Sequence, residues 1–177
     1  TADVPEQQPT PVTLPDKDTY VTAWVDADHA LCAKSLGDKE RAFVVVGRDG
    51  SEVTLQFAVS SVQIIAAKAG HIAYTNQAND TVYVGKFEGK SALTPLLEEK
   101  LSGTLRTRSV QAFNADASKL ALVYVPNGTA NARNAKLFDL TGGTAKTISA
   151  PQAKADILEV SWLSNGALKV VVEAQGD

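Results

Sequence analysis

The chain has 177 residues, 44% of them hydrophobic and 21% charged, with a formal net charge of −3. This is the balance of one ordinary globular domain, long enough for a real core and short for two. Charges of both signs are scattered, which argues against nucleic acid as a partner, and no apolar run reaches the roughly 20 residues that a membrane-crossing helix needs.

The chain begins "TADVPEQQPTPVTLPDKD" and contains no methionine. A Pro-, Gln- and Asp-rich start of this kind reads as a flexible tether left after a leader has been removed. The expectation is an exported protein, periplasmic or secreted, with residues 1–18 as the tether and residues 19–177 as a single domain. Cys32 is alone, so no disulfide framework exists within the chain. Its place in the alternating run "HALCAK" marks it as a small buried apolar side chain rather than a nucleophile.

From Thr19 onward the chain reads as short strands joined by Gly, Asn and Asp turns. A first unit, near residues 20–59, holds "TYVTAW", "HALCAK", "RAFVVVG" and "EVTLQFAV". A second, near 60–104, holds "SVQIIAA", "HIAYT", "TVYVGKF" and "ALTPLL". A third, near 107–150, holds "SVQAF", "KLALVYV", "NAKLFDL" and "TAKTIS". A fourth, near 155–177, holds "ILEVSW" and "ALKVVVE". The stretch "LTPLLEEKLSG" fits two structures equally. One is a short helix with Thr94 as N-cap and Pro95 in its first turn; the other is an outer strand followed by a loop.

The units repeat. "AFNADASKLALVYV", "AWVDADHALCAKS", "SWLSNGALKVVVE" and, more weakly, "IIAAKAGHIAYTN" each place a large apolar residue before a polar turn and a period-2 strand. The anchors Trp24, Ile65, Phe113 and Trp162 recur roughly every 40–50 residues, the period of four-stranded propeller blades. The third unit, "FNADASKLALVYV…AKLFDLTGGTAKTIS", resembles a blade of the TolB-type and WD-repeat propellers, with "NADASKLA" where such blades carry a Pro-Asp-Gly turn. No unit has the Trp-Asp dipeptide, which favours the TolB side. The resemblance implies an all-β fold, a small or incomplete β-propeller of three to four antiparallel four-stranded blades. Two ways of ending the array stand open. "PVTLP" completes the last sheet and closes a four-bladed ring, or the blades form an open arc with exposed edges, and the small size favours the arc.

In a blade, the second-to-third turn and the connection to the next blade share one end of the sheet. The longest irregular segments, "EEKLSGTLRTR" and "PNGTANARN", both belong to that end. Long loops on a rigid scaffold are where binding resides. The candidate partner-binding residues are therefore Arg106, Arg108, Ser109, Asn127, Asn131, Arg133 and Asn134, with "LGDKE" and "NQAND" contributing from the earlier blades. Arg and Asn present several donors in fixed geometry, and "TLRTRS" is the candidate insertion element.

Catalytic constellations are missing from the pattern. There is no G-x-S-x-G elbow, phosphate loop or dinucleotide fingerprint. His29 and His71 occupy equivalent repeat positions, which points to a shared structural role rather than a metal site. Asp49, Asp116 and Asp139 sit at turns, where they bond nearby backbone. No cofactor or metal is expected. The leading expectation is a non-catalytic exported module that binds another protein, in its sharpest form an inhibitor or immunity protein that blocks a toxic cell-wall hydrolase. The alternatives are a small propeller hydrolase or lyase, and a fragment or self-assembling subunit that pairs through open sheet edges.

Overall fold

The computed structural model describes residues 11–37, 41–106, 112–129, 132–150 and 155–174, and within them every regular element is a strand. The first sheet comprises β1 (Thr19–Trp24), β2 (His29–Ser35), β3 (Arg41–Gly47) and β4 (Glu52–Thr54). The second comprises β5 (Gln63–Lys68), β6 (His71–Thr75), β7 (Thr81–Lys86) and β8 (Thr94–Lys100). The third comprises β9 (Gly103–Leu105), β10 (Lys119–Pro126), β11 (Asn134–Asp139) and β12 (Thr144–Ile148). The hairpin of β13 (Ala155–Trp162) and β14 (Leu168–Ala174) forms the fourth. All are antiparallel and ordered as in the chain, so the fold is all-β with blade-like units.

The ambiguous stretch after Ala92 is a strand. β8 pairs with β7 from Thr81–Lys100 to Lys86–Thr94. Pro95 is tolerated because β8 is an edge strand and the proline faces Gly85, where the register slips.

The first strand of the third sheet departs from expectation. Glu98–Lys100 of the supposed irregular segment belongs to β8 and Gly103–Leu105 is β9, so the connection between the two sheets is just Leu101 and Ser102. The Arg106 amide donates to the Val123 carbonyl (2.9 Å), and the Ala121 amide to the Ala112 carbonyl (2.8 Å). Two positions apart on β10 thus bond residues six apart in the chain, and Phe113 forms a further isolated bridge with Leu120; the expected first strand "SVQAF" begins outside the described residues. Gly103 is required where β9 begins, because a Cβ there would collide with the Val125 carbonyl.

Consecutive residues of the central strands feed opposite faces, as a period of two demands. Ile72 and Tyr74 pack against Leu31 and Val45 of the first sheet, whereas Ala73 faces the third-sheet residues Leu120, Leu122 and Phe138. Ala121 and Val123 turn instead to Ile157 and Val160 of the fourth sheet. The clusters link first to second, second to third and third to fourth sheet; among the described residues none links fourth to first. The array is open. Val12 and Leu14, read as part of a tether or as a closing strand, instead pack on the outer face of the first sheet over Ala30, Cys32, Val44 and Val46. That face is apolar and needs a cover, and burial under it pushes the Cys32 thiol pKa up.

The turns follow one chemistry. Asp49 Oδ1 accepts from the Ser51 amide and hydroxyl, Asp116 Oδ1 from those of Ser118, and Asp139 Oδ1 from Thr141 and the Gly142 amide. The hydroxyl bond, followed by the amide bonds, holds each carboxyl below its ordinary value.

Two outcomes follow. Phe138→Ala, which empties a site that is 0% exposed, should cost about 3–5 kcal/mol in denaturant unfolding. Because the folded pKa values of the turn aspartates lie below the unfolded ones, their contribution is complete above about pH 4 and disappears as pH falls through the folded values. The thermal midpoint should therefore be flat between about pH 5 and pH 7 and drop below about pH 4. Asp139→Asn, which keeps the Oδ1 acceptor, should flatten part of that acid dependence, and Asp139→Ala should lower the midpoint at neutral pH as well.

Candidate functional site

The two ends of the sheets differ in character. At the end bearing the β1–β2 turn, polar side chains are tied into local structure. Asp26 Oδ1 accepts from the Asp28 amide and contacts His29 Nδ1 at 2.8 Å, while the His29 ring meets Phe87 edge-on at 5.6 Å. His71 Nδ1 lies 2.9 Å from the Ala69 carbonyl, and its ring tilts against Phe113 at 6.3 Å. Each histidine anchors its own turn and packs on an aromatic of the next structural layer, the shared structural role expected from their repeat position. Arg48 donates through Nε to the Ala27 carbonyl and lies over the Trp24 ring. Among the described residues, no group of three or more His, Cys, Asp or Glu side chains converges as metal ligands would.

The opposite end opens into a cleft of about 700 Å³ between the first and second sheets. Its floor is apolar: Phe43, Leu55, Phe57, Val59 and Val62. Its rim is polar: Ser35, Arg41, Ser60, Ser61, Gln63 and Gln77. A shallower hollow continues it past Val59, Ser60 and Gln77 to Asn76. The floor is rigid because its rings form a ladder, with Phe43 edge-on to Phe57 (5.6 Å), Phe57 to Tyr74 (4.8 Å) and Tyr74 stacked on Tyr83 (5.1 Å). Burial raises the Tyr74 phenol pKa at the base of this ladder.

The chain builds this cleft because β4 is short. "EVTLQFAV" was expected as one strand, but the ladder with β3 ends at Thr54 with a last bond from the Leu55 amide to the Phe43 carbonyl (2.8 Å), Gln56 bridges to Ala92, and the chain crosses to β5 with Leu55, Phe57 and Val59 turned inward. Ser61 adopts a positive φ of 56° at the bend, a conformation that costs a non-glycine residue energy and collects at functional sites.

Arg41, at the start of β3, is exposed, and among the described residues no carboxylate forms an ion pair with it. An apolar floor with a few directional donors and an exposed guanidinium suits an extended segment carrying an apolar side chain and a carboxylate.

Of the nominated residues, Arg106, Asn127, Arg133 and Asn134 fall at this same end, one or two sheets further along. Arg106 is exposed beyond β9, and Asn127 is exposed with its amide donating to the Ser102 carbonyl. Asn134 begins β11 opposite Tyr124. The Arg133 amide donates to Asp156 Oδ1 at 3.1 Å, and its Nε is buried without a hydrogen-bond partner. Arg108, Ser109 and Asn131 lie outside the described residues. "LGDKE" and "NQAND" do reach the cleft, through Gly37 and Gln77, but Arg41, Gln63 and the two serines were missed. The signal available for them was "AVSSVQ", a polar pair interrupting an apolar run.

No protein-family model matches the chain, no curated protein matches it in sequence, and no solved structure matches its fold.

Rim and floor are separable by mutation. Arg41→Ala and Gln77→Ala should each change unfolding free energy by less than about 0.5 kcal/mol, as exposed sites do. Phe57→Ala breaks the ladder and should cost about 3 kcal/mol or more in the same denaturant titration.

Proposed function

We propose that this protein is a non-catalytic binding module, exported to the periplasm or beyond, that recognises another protein through the end of the sheets carrying the cleft. The observation that carries the proposal is the cleft itself: an apolar floor held by an aromatic ladder, edged by hydrogen-bonding side chains and by Arg41, which has no ion-pair partner among the described residues. The likeness of the third unit to TolB-type blades supports the same reading, since propellers commonly bind across one end of the blades. The sharper version is an inhibitor or immunity protein that closes the active site of a cell-wall hydrolase. In that version Arg106 and Arg133, at the same end as the cleft, contact polar groups of the hydrolase, and the segment containing Arg108 and Ser109 inserts.

Site-specific crosslinking tests both levels. A photoreactive phenylalanine analogue replaces Gln77 on the rim or Asn165 in the β13–β14 turn, and the envelope fraction is irradiated with each. The expected result is one discrete adduct from position 77, none from position 165, and at least a ten-fold loss when Arg41→Ala is added. A hydrolase in that adduct, inhibited by the purified chain, establishes the sharper version. Equal adducts at both positions, or adducts indifferent to Arg41→Ala, reject the cleft as the binding surface.

A further inference from the structure

The strands at the margins of the sheets treat their unpaired backbone differently. β4 and β9 are three residues long. β1, β5 and β13 are each broken by a bulge, between Val21 and Ala23, Ile64 and Ala66, and Ile157 and Glu159. β8 carries Pro95, and β12 has Lys146 at its centre. Short, bulged, proline-bearing or centrally charged edges resist pairing with another chain. β14 has none of these features. It runs "LKVVVEA" over seven residues with no break along its own length, in a sheet of two strands where the others have four. Among the described residues no strand pairs with its outer edge.

The hairpin fixes which backbone groups that edge offers. The Leu163 amide donates to the Ala167 carbonyl at 2.9 Å. Alternation from that pair turns the amides and carbonyls of Lys169, Val171 and Glu173 towards β13 and those of Leu168, Val170, Val172 and Ala174 outwards. The side chains alternate as well. Leu168 and Val170 pack with Ile157, Val160 and Trp162 on the face that covers the third sheet. Val172, opposite Ile157 in the ladder, is 37% exposed.

We propose that β14 is a self-complementary edge that pairs antiparallel with β14 of a second copy, about a two-fold axis at Val171. In that register Lys169 lies opposite the second copy's Glu173, Val170 opposite its Val172, and Leu168 opposite its Ala174. Both charges find opposite partners, and the apolar row of the third-to-fourth sheet core continues across the axis. Moving the register by two residues keeps the faces matched but separates the charges: in one direction Lys169 falls opposite Val171 and Glu173 opposite the turn, and in the other Glu173 falls opposite Val171. The same two-fold operation on β12 would set Lys146 against itself. The product is a four-stranded sheet, two hairpins from two copies, with the strand number of the other three sheets.

Sedimentation equilibrium of the full chain tests this, with thermal unfolding confirming that each variant folds. The native chain should show a monomer–dimer equilibrium. Val172→Pro removes an outward-facing amide while leaving the bonds to β13, and should abolish the dimer. Lys169→Glu and Glu173→Lys should each raise the dissociation constant about ten-fold or more, by setting like charges opposite one another. The double variant, with the charges exchanged, should return to within about three-fold of native. A chain that stays monomeric at about 1 mM, a dimer unchanged by Val172→Pro, or a double variant as weak as the single ones overturns the proposal.

Discussion

Everything in this fold depends on burial between sheets that are apolar on both sides. An isolated two-stranded hairpin is marginal in water, and a sheet gains stability by burying a hydrophobic face. The second and third sheets here bury two such faces, one against each neighbour. Ile72 and Ala73 are adjacent in the chain, yet belong to different hydrophobic clusters, and the same is true of Leu120 and Ala121. Backbone bonds reinforce the stack where the clusters end. The Gly70 amide reaches the Val25 carbonyl of the first sheet, and the Leu105 amide the Asn79 carbonyl of the second. Stability in such an array is a sum over neighbouring pairs, with the terminal units held from one side only.

The two ends of the stack solve the terminal problem in different ways. The first sheet keeps an apolar outer face and covers it with Val12 and Leu14. The fourth places Asp156, Glu159, Ser161, Lys169 and Glu173 in ladder positions that alternate with its core residues. Among the described residues, one end is thus covered by the chain itself and the other carries the exposed polar residues Glu159, Lys169 and Glu173.

The strands were legible because short apolar runs bounded by Asp, Asn or Gly turns are local signals, and β2, β6 and β7 are such runs, buried on both faces. Three features were not. β9 is three residues of "SGTLRT" that pair only because Val125 and Pro126 offer an edge, a long-range fact with no local mark. Pro95 pointed as readily to a helix start as to an edge strand, and the choice was made by β7, whose backbone needed a partner. The cleft was hidden because "EVTLQFAV" has strand composition throughout; where it leaves the sheet is set by packing on Tyr74 and Val62 rather than by its own pattern. Loop placement pointed to the end of the sheets where the cleft lies, between the first and second sheets rather than at the nominated loops of the third.

The two tryptophans stand on the two terminal sheets. Trp24, half exposed in β1, lies beneath the Arg48 guanidinium at 5.1 Å, whereas Trp162 in β13 donates its indole N–H to the Ala112 carbonyl of the preceding sheet at 3.0 Å. Their emission therefore reports on different events, the first on the leading sheet and its neighbouring turn, the second on the seating of the final hairpin. A protein built as a row thus carries an optical gauge at each end, and the spread between the two signals during unfolding measures how far cooperativity travels along the row.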